Sequence, residues 1–156
     1  MTRRDCNATR GCHAPPWQIP RSPGILVSGG LMTSILLVDD DEMSRAVVHK
    51  LLERSGYAVY STGMGQEALD HYRGQQSDLV ITDLIMPDLD GLEVIQQLRQ
   101  IDPAVRVLAI SGGGRVDAEE YLSVARKFGA VEVLPKPFTG QELKQAVEKA
   151  LTSGSS

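Results

Sequence analysis

The chain has 156 residues, 42% of them hydrophobic, which suits one ordinary domain with its own core. Four arginines against one aspartate give residues 1–31 a charge of +3, so the remainder, in a total of −4, carries −7. So acidic a domain is a poor match for phosphate backbones, and no apolar run approaches the roughly 18 residues of a membrane span, so direct nucleic-acid binding and membrane insertion are not expected.

Residues 1–31 are rich in Gly, Pro and Arg and lack periodicity apart from the short run Ile25-Leu26-Val27. A disordered tail is expected there, with no apolar block of a secretory signal after the Arg pair. Asn7-Ala8-Thr9 matches a glycosylation sequon, which means little without such a signal. Both cysteines, Cys6 and Cys12, fall in this tail. With His13 they make too small a set for a metal site, and they leave the rest of the chain without a disulfide. Met32 lies two residues before the first expected strand, which suggests it as a translation start.

From Ser34 to Leu151 the chain alternates short apolar runs with amphipathic ones, five times over. Ser34 to Val38 is continuously apolar after its first residue, as in a strand buried on both faces. Asp39-Asp40-Asp41-Glu42 follows, and then a helix to Ser55 with Val47, Val48, Leu51 and Leu52 inward and Gly56 as its stop. Tyr57 to Thr62 is the second strand, and Gln66 to about Gly74 a short helix using Ala68, Leu69 and Tyr72. The third strand ends at Asp83, ahead of the turn-rich run Met86-Pro87-Asp88-Leu89-Asp90-Gly91. A helix from about Leu92 to Ile101 closes at Asp102-Pro103. Val105 to Ile110 is the fourth strand, ending in Ser111-Gly112-Gly113-Gly114, and a helix covers about Asp117 to Phe128. Val131 to Leu134 is the fifth strand, before Pro135-Lys136-Pro137-Phe138. Thr139-Gly140-Gln141-Glu142 is a capping box opening the last helix, whose apolar stripe is Leu143, Ala146, Val147, Ala150 and Leu151. The tail after Thr152 should fray. Residues 32–152 thus form a single α/β domain built on a parallel sheet covered on both faces.

In such a sheet ligands bind beyond the carboxyl ends of the strands. There this chain has Asp39 and Asp40, Asp83, Ser111 and Lys136. Clustered carboxylates raise one another's pKa unless a cation joins them, and an all-oxygen set suits Mg²⁺. A carboxylate can attack phosphorus, and phosphoryl transfer then needs a metal, an ammonium and a hydroxyl around the phosphoryl oxygens. Mg²⁺, Lys136 and Ser111 would supply these. Taken singly, the acidic run could instead cap a helix, and Ser111 and Lys136 could be loop residues.

In Leu37-Val38-Asp39-Asp40, Asp83 through Gly91, Ser111-Gly112 and Lys136-Pro137-Phe138, the chain resembles a response-regulator receiver domain of two-component signalling. The resemblance implies a flavodoxin-like, doubly wound (βα)5 fold with strand order 2-1-3-4-5. It also implies that Asp83 accepts phosphoryl from a histidine kinase or phosphotransfer protein, and that Asp40 binds Mg²⁺ directly. Asp39 would hold the ion largely through water, and the Ile85 carbonyl would be a further ligand. Lys136 and Ser111 would contact the phosphoryl group, and the Lys136–Pro137 bond would be cis. No separate catalytic domain is implied, only a stand-alone cytoplasmic regulator. A downstream protein target would read it at the fourth helix, fifth strand and fifth helix.

Two positions depart from the family's habits. Val133 stands where an aromatic switch residue is common, so a backbone or loop shift must carry more of the response. Ile85, two residues beyond the phosphoacceptor, is expected to hinder attacking water. Two other readings stay open: a receiver-like interaction module that is never phosphorylated, and a dinucleotide-binding domain. The latter rests on Gly63-x-Gly65-x-x-Ala68 after a strand, with an acid about twenty residues on.

Overall fold

The computed structural model describes residues 25–27, 30–86, 89–112 and 118–153. Cys6, Cys12, His13, the sequon, Pro87, Asp88, Gly113, Gly114, Asp117 and residues 154–156 lie outside that set, as does most of the expected tail. One part of that tail is ordered, against expectation. Strand β1 (Ile25–Val27) pairs antiparallel with β2 (Gly30–Met32), with Ile25 opposite Met32 and Val27 opposite Gly30. The Ile25-Leu26-Val27 run lacks alternation because this two-stranded ribbon is too short to show a period.

The main sheet has five parallel strands: β3 (Ser34–Val38), β4 (Ala58–Thr62), β5 (Leu79–Asp83), β6 (Val107–Gly112) and β7 (Glu132–Lys136). Their spatial order is β4-β3-β5-β6-β7, which is 2-1-3-4-5 counted within the sheet. Helices α1 (Glu42–Arg54), α2 (Gly65–Gly74), α3 (Gly91–Ile101), α4 (Ala118–Phe128) and α5 (Gly140–Thr152) make the crossovers.

The central strands β3 and β5 are buried along their whole length, as their unbroken apolar runs require. The sheet divides the core in two. Leu36, Val38, Val80, Val107 and Ala109 face α2, α3 and α4 through Leu69, Tyr72, Ile95, Leu98 and Ala125. Ile35, Leu37, Ile81, Leu108 and Ile110 face α1 and α5 through Val48, Leu52, Leu143 and Val147.

Several ends are as the sequence predicts. Asp102 closes α3, and α5 opens on the reciprocal Thr139–Glu142 capping box. Gly56 and Gly129 take φ of 93° and 116°, the left-handed turn that terminates α1 and α4. Two strands run further than expected. β6 continues through Ser111 and Gly112, and β7 through Pro135 and Lys136, because Ser111 pairs with Pro135 and Gly112 with Lys136. Val47 is a further correction. It is 59% exposed rather than turned inward. At about 100° per residue it stands well off the line through Val48 and Leu52 that the sheet covers.

Candidate functional site

The carboxyl ends of β3, β5, β6 and β7 carry the five residues singled out in the sequence. Asp39 directly follows β3, Asp83 is the last residue of β5, and Ser111 and Lys136 stand opposite Pro135 and Gly112 in the final rungs of the ladder. Asp39, Asp83 and Ser111 are buried, while Asp40 is exposed at the mouth. Carboxylate oxygens of Asp39, Asp40 and Asp83 lie within 4.8 Å of one another. Three acids so close suit a hard cation, and carboxylate oxygens are the donors Mg²⁺ prefers.

Capping does not explain the acidic run. Asp41 alone caps α1, accepting from the Met43 N–H at 3.3 Å. Asp39 Oδ1 accepts from the Asp41 N–H at 3.0 Å, and the Asp39 N–H donates to the Thr62 carbonyl at 3.1 Å, so its backbone and one oxygen are fixed. Asp83 Oδ1 accepts from the Ile85 N–H at 3.0 Å.

Lys136 joins the two buried acids. Its Nζ donates to Asp83 Oδ2 at 2.9 Å and to Asp39 Oδ2 at 3.4 Å. Burial pushes the Asp83 carboxyl above its ordinary value. The Ile85 N–H and the Lys136 ammonium pull it down without cancelling that rise, to which the charge of Asp39 adds. For Lys136 burial acts downward, but the hydrogen bond and charge of Asp83, and then Asp39, outweigh it and the net shift is upward. One ammonium therefore does not fully compensate the burial of Asp83. The Lys136–Pro137 bond is cis.

Two residues of α1 that sequence reasoning missed complete the frame. Ser44 Oγ accepts from Lys136 Nζ at 3.3 Å. Arg45 Nη1 donates to the Asp39 carbonyl at 2.8 Å and passes Gly63, where a methyl group would meet it at 2.6 Å. The signal for Ser44 was its place four residues before Val48, the polar top of a buried stripe. Arg45 had none, since an Arg in the first turns of a helix reads as solvated.

The glycines of the dinucleotide-like run are already in use. A methyl on Gly65 would meet Val94 Cγ2 at 2.9 Å and Leu89 at 3.0 Å, so Gly65 packs α2 against α3, and Gly63 makes way for Arg45. Neither leaves backbone open to a pyrophosphate, and that reading fails.

The chain matches the profile of one protein family, the response regulator receiver domain, over residues 35–148. It belongs to that family. NtrC, a DNA-binding transcriptional regulator of Azospirillum brasilense, is 39% identical over 77% of the chain, which spans only 24% of that longer protein. Sporulation initiation phosphotransferase F of Bacillus subtilis is 31% identical over 75% of the chain and 92% of its own length. Among solved structures, a receiver domain protein of Clostridium thermocellum superposes with a TM-score of 0.71 at 31% identity, covering 77% of this chain and 94% of that one. The receiver domain described here places Val133 half-buried against the α2–α4 side of its core. No helix among the described residues is long and apolar enough to cross a membrane.

Proposed function

We propose that this receiver domain takes a phosphoryl group from the phosphohistidine of a histidine kinase or phosphotransfer protein onto Asp83. A carboxylate oxygen of Asp83 attacks phosphorus, the P–N bond breaks, and the imidazole leaves with the electron pair of that bond. Carrying most weight is the Lys136 ammonium bonded to both Asp83 and Asp39, beside a third carboxylate at the mouth. Asp40 would hold Mg²⁺ directly, Asp39 largely through water, and Asp83 and the Ile85 carbonyl would complete the protein's share. Bound there, the ion supplies charge neutralisation for the transferring oxygens. Lys136 neutralises a further phosphoryl oxygen, and the Ser111 hydroxyl donates to another. The chain catalyses its own phosphorylation and has no separate catalytic role.

The surroundings fit such a donor. Met43 and Val47 on α1, Met64 after β4 and Ile85 after β5 are large apolar residues more than half exposed, all on segments that frame the acidic hollow. An apolar helical surface carrying the phosphohistidine would seat on them. Phosphorylation then shifts a pre-existing equilibrium that a downstream protein target reads at α4, β7 and α5, in the cytoplasm.

Intact mass of the full chain after incubation with Mg²⁺ and acetyl phosphate tests the reading. The expected result is a gain of one phosphoryl group, lost in Asp83→Asn and with EDTA. No adduct, together with no binding of beryllofluoride, would overturn it in favour of an interaction module that is never phosphorylated.

A further inference from the structure

An ammonium has three N–H donors and no acceptor, so its orientation is defined only when three partners surround it. Lys136 Nζ has three: Asp83 Oδ2 at 2.9 Å, Ser44 Oγ at 3.3 Å and Asp39 Oδ2 at 3.4 Å. Two of these are the carboxylates of the phosphorylation site. The third is a neutral hydroxyl from a different element.

Ser44 reaches the ammonium because of its place on α1. It lies four and eight residues before Val48 and Leu52, which the sheet buries, so it continues their stripe beyond the last apolar turn. That turn stands level with the strand ends. Ser44 and Lys136 also line the same groove of about 550 Å³, with Val47, Gly112 and Phe138 around them. The lysine stem therefore runs along an open groove, in which a flexible four-carbon chain would otherwise sample several rotamers.

The geometry points to Ser44 as a positioning residue for the phosphoryl-transfer reaction, one that holds the Lys136 ammonium aimed into the acidic hollow. A third carboxylate in its place would also hold the ammonium, but would neutralise the charge that the phosphoryl oxygens need. A hydroxyl orients the head group and leaves its charge available. When a phosphoryl group joins Asp83, the ammonium must follow it, and a neutral partner yields more readily than an anion. This inference rests on the phosphoacceptor reading of Asp83.

The test uses the full chain as wild type, Ser44→Ala and Ser44→Thr. The Lys136 ammonium is observed in metal-free, lysine-¹⁵N-labelled protein by ¹H–¹⁵N NMR, and phosphorylation by acetyl phosphate with Mg²⁺ is timed in parallel. In Ser44→Ala the ammonium hydrogens should exchange with water about fivefold faster, and phosphorylation should slow by about fivefold, the size expected for loss of one hydrogen bond of ordinary strength, as its 3.3 Å length suggests. Ser44→Thr, which keeps the hydroxyl, should restore both. Combined with Lys136→Met, Ser44→Ala should slow phosphorylation no further, which a merely structural role would not predict. Wild-type exchange in Ser44→Ala, or wild-type phosphorylation kinetics in it, overturns the role of Ser44. A wild-type chain that neither takes a phosphoryl group nor binds beryllofluoride would instead refute the phosphoacceptor reading, and the exchange comparison would still decide whether Ser44 holds Lys136.

Discussion

Gly91→Ala should damage the site from beneath. Gly91 is the first residue of α3, just after the cap Asp90, and its N–H donates to the Leu84 carbonyl at 3.1 Å. A methyl group there would sit 2.2 Å from the Asp83 carbonyl oxygen, 2.6 Å from Leu84 Cα and 2.9 Å from the Asp83 carbonyl carbon. All three obstacles are backbone, so no side chain can turn aside. Bringing the shortest contact to a tolerable 3.0 Å moves the Asp83 backbone, or the start of α3, by about 0.8 Å. Overpacking of this kind costs about 1–3 kcal/mol, and the better helix propensity of Ala returns only up to about 1 kcal/mol. A net loss of about 1–2 kcal/mol should lower Tm by roughly 3–8 °C. Because the displaced residue is the proposed phosphoacceptor, phosphorylation by acetyl phosphate should fall about tenfold or more, a misplacement of about 1 Å being worth roughly a hundredfold. Gly74→Ala is the control: it lies at the end of α2 with nothing within 4 Å of the new methyl, and should be neutral or stabilising by about 0.5–1 kcal/mol. A Gly91→Ala chain that melts with the wild type and is phosphorylated at its rate refutes the reasoning.

Asp83→Asn should melt above the wild type at pH 7 in EDTA. An acid raised by burial binds its proton more tightly folded than unfolded, so its stabilising contribution is full below the ordinary carboxyl value and lost as pH rises through the folded one. The gap in Tm, followed by scanning fluorimetry, should close as pH falls into the carboxyl range, and Mg²⁺ should stabilise the wild type more than the variant. Equal melting at every pH would sink the argument. Arg45→Met removes the 2.8 Å bond that fixes the Asp39 carbonyl, and should weaken Mg²⁺ binding by about tenfold in a calorimetric titration; an unchanged affinity would mean that β3 alone holds Asp39 in place. Ile85 is 52% exposed just beyond Asp83, and if its apolar side chain hinders water as proposed, Ile85→Asn should speed loss of the phosphoryl group several-fold in a chase of labelled protein. An unchanged rate would show that Ile85 does not hinder water.

The parallel sheet was readable because burial on both faces erases alternation, leaving the unbroken runs at Ile35–Val38 and Leu79–Ile81, while its strand order followed only from the family resemblance. Asp39 and Asp83 were readable for a related reason, since an apolar strand that runs into a carboxylate announces its own end. Bonds between elements distant in sequence were less visible. Ser44 meets Lys136 across 92 positions, and Arg45 serves a backbone carbonyl, a partner with no residue type of its own. The ends of β6 and β7 were misplaced by two residues because Ser-Gly and Pro-Lys have little strand propensity, and only their mutual pairing keeps them in the sheet. Val47 was misassigned because an apolar residue next to a buried one does not reveal which of the two the sheet covers.

A sheet that parts its core into two apolar clusters also parts the evolutionary freedom of the two sides. Substitutions beneath α1 and α5 share few neighbours with those beneath α2, α3 and α4, so their effects on stability should largely add. A lineage can therefore remodel the α1 side, where Met43, Val47 and Ser44 stand beside the proposed phosphoacceptor, without renegotiating the packing of α4. Drift in donor choice on α1 and drift in the share of the response carried by α4 can proceed as separate histories on opposite sides of one wall, whereas α5 lies on the α1 side and is tied to it.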